Sequence, residues 1–277
     1  MPSRHSRKKT MQHHLIRTLA LGTLLLSPAI ASAQDAPAKS GEFSGYTTIG
    51  IAAVPDYEGA DDHRILPLVD GKVFLGERYV AVEGSVVRAN ILNSKTFEFG
   101  PVASFTFGRD DDIESRAVAQ LGTIDDAYEV GAFAAVSFEV GGNDTLRFGL
   151  QGVHDVSDVH DDFVVTANAT YTAAIGERLN LMVDLGASYA GDDYAETYFS
   201  VTPVGSIATG FTVFDAEGGL KDVGAQLTAS YRIGANWGIA ANAGYRRLLG
   251  DFADSPVVSN GGSADQLSGG VGVFFTF

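Results

Sequence analysis

Leu267-Ser268-Gly269-Gly270-Val271-Gly272-Val273-Phe274-Phe275-Thr276-Phe277 decides how the rest of this chain is read. Taking every second residue, Leu267, Val271, Val273, Phe275 and Phe277 fall on one face. Ser268, Gly270, Gly272 and Thr276 fall on the other, with Phe274 as the exception. A period of two is that of a β-strand. Large apolar side chains face one way and small or polar ones the other.

A strand of this kind, ending in Phe, resembles the last strand of bacterial outer-membrane β-barrels, which the assembly machinery recognises. On that expectation, similar strands should run back along the chain and close on this one. They do recur, separated by turn signals. Phe43 to Ala53 is a weak first strand, and Ile65 to Phe74 is a second, with Pro67 at a rim or irregular position. Tyr79 to Leu92 is long and holds Gly84-Ser85 near its middle. Thr96 to Phe107, Tyr128 to Val140, Leu146 to Gln151, Phe163 to Ala173, Asn180 to Tyr189, Asp222 to Ile233 and Trp237 to Arg246 all alternate.

Alternation fits a soluble sandwich with an apolar core as well as a membrane barrel whose apolar face meets lipid and whose polar face lines the lumen. Three features favour the barrel. Several segments run to 10–14 residues, the length of a tilted membrane strand rather than of an ordinary soluble one. Trp237, Tyr245, Tyr231, Tyr189, Tyr171, Phe163, Phe275 and Phe277 lie at or near strand ends, where aromatic girdles sit. Tight turns at 76–78, 93–95, 141–143, 176–178 and 234–236 contrast with long acidic connections at 54–64, 108–126, 191–218 and 250–263. Short turns on one side and long loops on the other is the outer-membrane pattern.

By eye there are about eleven strands, whereas single-chain bacterial barrels have an even number. Splitting 79–92 at Gly84-Ser85 supplies the missing one, although its halves are short for membrane strands. The expected fold is therefore all-β, an antiparallel transmembrane β-barrel over residues 43–277, with 12 strands and 10 as the alternative.

The start of the chain is read differently. Arg4, Arg7, Lys8, Lys9 and Arg17 precede a short apolar core at Leu19 to Ile30 and a small-residue site at Ala31-Ser32-Ala33. This is the layout of a secretory signal peptide over residues 1–33, cleaved near Ala33. Its core is too short to span the ~30 Å of a bilayer. Residues 34–42 read as a flexible polar lead-in. Without 1–33 the formal charge moves from −15 to −20. That balance argues against a nucleic-acid partner, which needs a basic footprint. Cysteine is absent, so no disulfide holds the exported chain together.

Loop and rim residues carry a family resemblance. Pro55-Asp56-Tyr57-Glu58-Gly59-Ala60-Asp61-Asp62 with Pro67-Leu68-Val69-Asp70 resembles the opening motif of the MipA/OmpV family. Gly100-Pro101 leading to Gly108-Arg109-Asp110-Asp111-Asp112, Thr197 to Pro203, Gly219 to Gly224, and Leu248-Leu249-Gly250-Asp251-Phe252-Ala253-Asp254-Ser255-Pro256-Val257-Val258 are similar too. Phe252 stands where a smaller residue is usual. The resemblance implies an outer-membrane protein with no enzyme activity and no catalytic, cofactor or metal residues. In one branch it implies a scaffold linking a lytic transglycosylase to a bifunctional peptidoglycan synthase. The other branch is linked to osmotic response and adhesion, so a small channel or osmoregulated porin and a surface adhesin acting through 191–218 stay open. Outer-membrane lipid and lipopolysaccharide are the expected surroundings.

Within the chain, His154-Asp155-Val156-Ser157-Asp158-Val159-His160-Asp161-Asp162 is the cluster that could carry chemistry. It reads as a solvated outer loop before it reads as a divalent-metal site or a surface hydrolase. Asp110, Asp111, Asp112 and Glu114, with Asp61, Asp62, Asp192 and Asp193, read as an acidic rim before they read as Ca²⁺ or lipopolysaccharide contacts. The polar faces place Glu98, Glu129, Glu139, Asp184 and Asp222 against Arg88, Arg147, Arg232 and Arg246 inside the barrel. Paired charges filling the lumen are expected ahead of an open pore.

Overall fold

A computed structural model describes residues 43–277; the signal-peptide and lead-in expectations over 1–33 and 34–42 lie outside the described residues. In chain order the strands are β1 (Phe43–Pro55), β2 (His63–Leu75), β3 (Arg78–Glu83), β4 (Val86–Asn90), β5 (Phe97–Thr106), β6 (Ala127–Glu139), β7 (Thr145–Asp155), β8 (Phe163–Ile175), β9 (Leu179–Ala190), β10 (Gly219–Arg232), β11 (Trp237–Leu248) and β12 (Asp265–Thr276). Each pairs antiparallel with its neighbours in sequence, and β1 pairs with β12. The sheet is a closed barrel of 12 strands, so the split at Gly84-Ser85 is correct. Gly84 makes that turn with φ 58°, a left-handed value that glycine adopts without steric cost.

Closure follows from the solvent. Hydrocarbon cannot hydrogen-bond a strand edge, so a spanning sheet must satisfy every backbone group internally. The seam runs from Tyr46↔Thr276 to Ala53↔Gly269. Here the small residues of the terminal strand matter. An added Cβ on Gly50 would fall 2.0 Å from the Val271 carbonyl oxygen.

Side chains alternate as the period predicts. Ile49, Ile51, Val271, Val273 and Phe275 are exposed on the outer face of the seam, while Tyr46, Thr48 and Ala52 are buried on the inner one. Phe274 breaks the small-residue pattern because it points inward, where it is buried with Tyr46 and Ala240. The girdles divide by side. Tyr171, Tyr231, Trp237, Phe275 and Phe277 lie by the tight turns; Phe163, Tyr189 and Tyr245 lie by the long loops. Phe163 and Tyr189 stack with centroids 6.1 Å apart.

Two strand expectations need correction. β7 runs to Asp155, so His154 and Asp155 belong to a strand rather than to the loop. β10 begins at Gly219 and carries a bulge between Leu220 and Asp222. An extra residue at a bulge puts two neighbours on one side, and Lys221 and Asp222 are both buried. The long connections also contain short helices that alternation did not reveal: α1 (Arg116–Ala119), α2 (Asp192–Phe199), α3 (Pro203–Thr209), α4 (Gly250–Asp254) and α5 (Pro256–Ser259).

Gly50→Val should weaken the seam, because overpacking costs about 1–3 kcal/mol. Gly219→Ala, where nothing lies within 4 Å of the new Cβ, should be close to neutral. Heat-modified mobility on electrophoresis reads both; equal unfolding temperatures for the two variants would contradict the seam assignment.

Candidate functional site

The long loops do not hang free. They fold into a cap over the outer mouth with its own apolar core. Tyr194, Ala195, Tyr198 and Phe199 of α2 pack with Leu248, Phe252 and Val258. A second cluster joins Tyr57, Ala60, Val118, Val201 and Val257. Phe199 and Phe252 meet edge to face at 5.1 Å, which gives the larger residue at 252 a packing role. Gln266 of β12 fastens the first loop to the wall: it accepts from Gly59 N at 3.1 Å and donates to Ala60 O at 2.9 Å.

Glu58 is the hub where cap and barrel meet. Its carboxylate pairs with the Lys221 ammonium and accepts from the Tyr194 hydroxyl at 2.6 Å. Arg246 lies 3.9 Å from Glu58 and 3.6 Å from Asp222, and Lys221 lies 3.3 Å from Asp222. The β10 bulge makes this possible by turning Lys221 inward beside Asp222. Two cations meet two carboxylates with little water, the arrangement in which a buried network holds and a broken one costs most. Burial, then the Glu58 charge, pushes the Tyr194 phenol well up, and burial pushes Tyr57 up to about 12. Both cap tyrosines therefore stay neutral hydrogen-bond donors through the physiological range. Burial holds the Arg109 guanidinium below its usual range where it donates to the Tyr198 carbonyl at 3.5 Å.

Three acids of the outer end, Asp155 at the close of β7 and Asp162 and Asp192 in the connections, are tied into the backbone rather than left to solvent. Asp155 accepts from Ser157, Val159, His160 and Asp161 backbone N–H groups at 2.8, 2.7, 2.8 and 3.1 Å. Asp162 accepts from Asp193 N at 2.9 Å and Tyr194 N at 3.4 Å at the start of α2. Asp192 accepts from Gly218 N at 2.8 Å. The two histidines are not brought together. His154 faces outward, while His160 is buried under Tyr194 at 4.9 Å with Nε2 3.3 Å from Glu129. Among the described residues, no group of three His, Asp or Glu converges as a metal site would.

Below the cap, charged and polar pairs line the lumen wall. Arg147 donates twice to Glu98, at 3.1 and 2.9 Å, and Tyr79 adds a hydroxyl at 2.6 Å. Lys72 stands 3.6 Å over the Tyr79 ring, and Arg88 reaches Glu83 at 2.9 Å. Asp184 accepts from Thr170 and Asn168, and Asp222 from Ser188. Of the expected inward charges, Glu98 with Arg147 and Asp222 with Arg246 are paired. Glu129 is held by Ser104 and Thr106, whereas Glu139 and Arg232 sit at the turn end. The inward set read from the sequence missed Asp70, Lys72, Glu83 and Lys221, of which Asp70 and Lys221 entered only within the family motifs. The first three share the inward parity of their strands and could have been found that way; the bulge hid Lys221.

A cleft of about 40 Å³ is lined by Asp184, Asp222, Gln226 and Arg246 among others. A second, of about 10 Å³, lies by Arg88, Phe133 and Arg147. A water needs ~10–15 Å³ of such space, so the first has room for a few waters and the second for about one.

The chain also resembles known proteins. A family model described as "MltA-interacting protein MipA" matches residues 48–277. The Escherichia coli (strain K12) protein YiaT, whose name assigns it provisionally to the outer membrane, is 28% identical over 115 residues. That match covers 42% of this chain, and the chain spans about half the length of that relative, 46% of it. Among solved structures, an outer-membrane channel from Pseudomonas putida F1 aligns with TM-score 0.46 and 11% identity over 89% of this chain and 100% of that one. The NanC porin aligns with TM-score 0.44 and 10% identity over 84% and 100%. Likenesses of that size carry no functional information.

Glu58→Ala should strip Lys221 and Tyr194 of a partner and cost roughly 3 kcal/mol, as removal of one member of a buried pair does. The cap should then be cut more readily by protease within 191–218. Adding Lys221→Met should restore part of the loss; no change in protease sensitivity for Glu58→Ala would contradict the hub.

Proposed function

We propose a scaffold reading from one premise: the chain belongs to the MltA-interacting protein MipA family. It is an outer-membrane barrel that performs no catalysis and holds no cofactor or metal. Its role is to gather peptidoglycan-remodelling enzymes, a lytic transglycosylase and a bifunctional synthase, at the inner surface of the outer membrane. The family description, which names MltA as an interaction partner, suggests the class of partner.

The observation that supports this reading is what fills the barrel. Ion pairs line the lumen wall and a folded core covers its outer mouth. Such a body is stiff, and stiffness suits a platform more than a conduit. The face left for partners is the set of tight turns on the periplasmic side, with Arg78, Lys95, Glu177 and Arg178 exposed. Mixed charges on a rim steer and select partners more than they add raw affinity. A small channel is the second reading, favoured by the polar cleft along Asp184, Asp222, Gln226 and Arg246.

Affinity capture from cross-linked envelopes, read by mass spectrometry against an unrelated barrel, tests the scaffold. Specific recovery of a lytic transglycosylase or a peptidoglycan synthase is expected. Charge reversal of Arg78, Lys95 and Arg178 together should lower it, more strongly at low salt than at high, as loss of rim complementarity does. Recovery equal to the control would end the scaffold reading for this protein.

A further inference from the structure

The hairpin of β3 and β4 stops part-way up the wall. Its strands have six and five residues, and Asp70↔Glu83 is the last pair between β2 and β3. Above that pair β2 runs on to His63 with a strand neighbour on its β1 side alone. At the height where the hairpin ends, three side chains stand in a row on the inner face. Thr48 is opposite Asp70, and Asp70 is opposite Glu83. Their exposures are 1%, 1% and 8%. Facing side chains on neighbouring strands have Cβ atoms ~4.5–5.5 Å apart, and like charges so placed repel.

These groups lack partners. Thr48 Oγ1, both Asp70 carboxylate oxygens, Glu83 Oε2 and Ser85 Oγ are buried and, among the described residues, have no hydrogen-bond partner. Ser85 belongs to the turn that joins β3 to β4, two residues beyond Glu83. Arg88 Nε lies 2.9 Å from Glu83 Oε2, yet neither atom makes a hydrogen bond, and the guanidinium also lies over the Phe133 ring with Cζ 5.4 Å from its centroid. One guanidinium thus faces two carboxylates. Elsewhere in this lumen a hydroxyl beside a carboxylate donates to it, as Thr170 does to Asp184 and Ser188 to Asp222. Here the hydroxyls and carboxylates stand apart, the spacing of ligands around a common centre.

We propose that Asp70 and Glu83 bind a calcium ion, with the Thr48 and Ser85 hydroxyls as further ligands. The five partnerless oxygens are the donor set of a hard cation; imidazole and thiolate, which softer metals take, are not among them. Calcium accepts six to eight oxygens in flexible geometry, whereas magnesium demands an octahedron and keeps several waters. A row of side chains along one wall meets the first requirement better than the second. The ion answers the repulsion between facing carboxylates and the cost of burying Asp70 unpaired. A proton shared by the two acids would ease the repulsion and leave the Thr48 and Ser85 hydroxyls as they are. Such an ion is structural, so the metal-free expectation gives way at this one place and the scaffold role is untouched.

The test refolds the full chain into detergent with calcium or with a chelator and removes free ions by gel filtration. Elemental mass spectrometry reads bound metal, and heat-modified mobility reads unfolding. About one calcium per chain is expected, with a higher unfolding temperature in calcium than in chelator, because a metal held by the folded state alone stabilises it. Asp70→Asn keeps the shape and removes the charge; it should lose the ion and the calcium-dependent rise together. Thr48→Val should fold and bind calcium more weakly. Asp61→Asn with Asp62→Asn, in the loop before β2, should change neither readout. Absence of bound calcium with equal unfolding temperatures in calcium and chelator would overturn the proposal. So would stabilisation by sodium in place of calcium, or calcium lost with the loop pair and kept by Asp70→Asn.

Discussion

The requirement that no backbone polar group be left facing hydrocarbon governs this molecule. It demands closure, and closure demands that β1 and β12 approach along their whole common length. The glycines of β12 and Gly50 of β1 permit that approach, so the composition of the seam and the topology of the barrel are one constraint. The same requirement makes the short β3–β4 hairpin conspicuous. It is where the wall departs from the rule: Arg64 lies over Phe107 there, and Asp70 and Glu83 are buried as the last pair between β2 and β3.

Inside, a second constraint operates. Alternation places every other residue in the lumen, where charges are far from bulk water. Glu98 with Arg147, Glu83 with Arg88, and Asp222 with Lys221 and Arg246 answer one another. Carboxylates and cations removed from water are costly unless paired and hydrogen-bonded; among the described residues Asp70, buried with neither carboxylate oxygen hydrogen-bonded, stands outside that pairing. At the outer end Glu58 extends that network into the cap, so the bulge in β10, the loop after β1 and helix α2 form one connected unit. The cap is therefore fixed to the wall by electrostatics and by its own apolar core together.

Much of this is legible in the sequence, for physical reasons. Period-two patterning reports which face a side chain takes, and it places the strands, the girdles and the inward charges Glu98, Arg147 and Asp222. The parity of the membrane sheet locates the turn at Gly84-Ser85. Alternation says nothing about a bulge, which shifts the period by one residue, and so it hides Lys221. It says nothing about loops either. The acids at 155, 162 and 192 look like a rim or a ligand set because composition cannot show which N–H groups a carboxylate will accept from. His154 and His160 are close in sequence yet face opposite ways, since one ends a strand and the other lies in the turn beyond it.

A braced lumen under a fixed cap makes one proposal central: that the interior of this barrel stiffens the protein instead of serving as a route through the membrane. Conductance of the purified, folded barrel across a planar bilayer tests that claim most directly. The account predicts current indistinguishable from the lipid alone at steady voltage. Reproducible steps of fixed conductance would contradict it and would make the polar cleft by Asp184, Asp222 and Arg246 part of a pore.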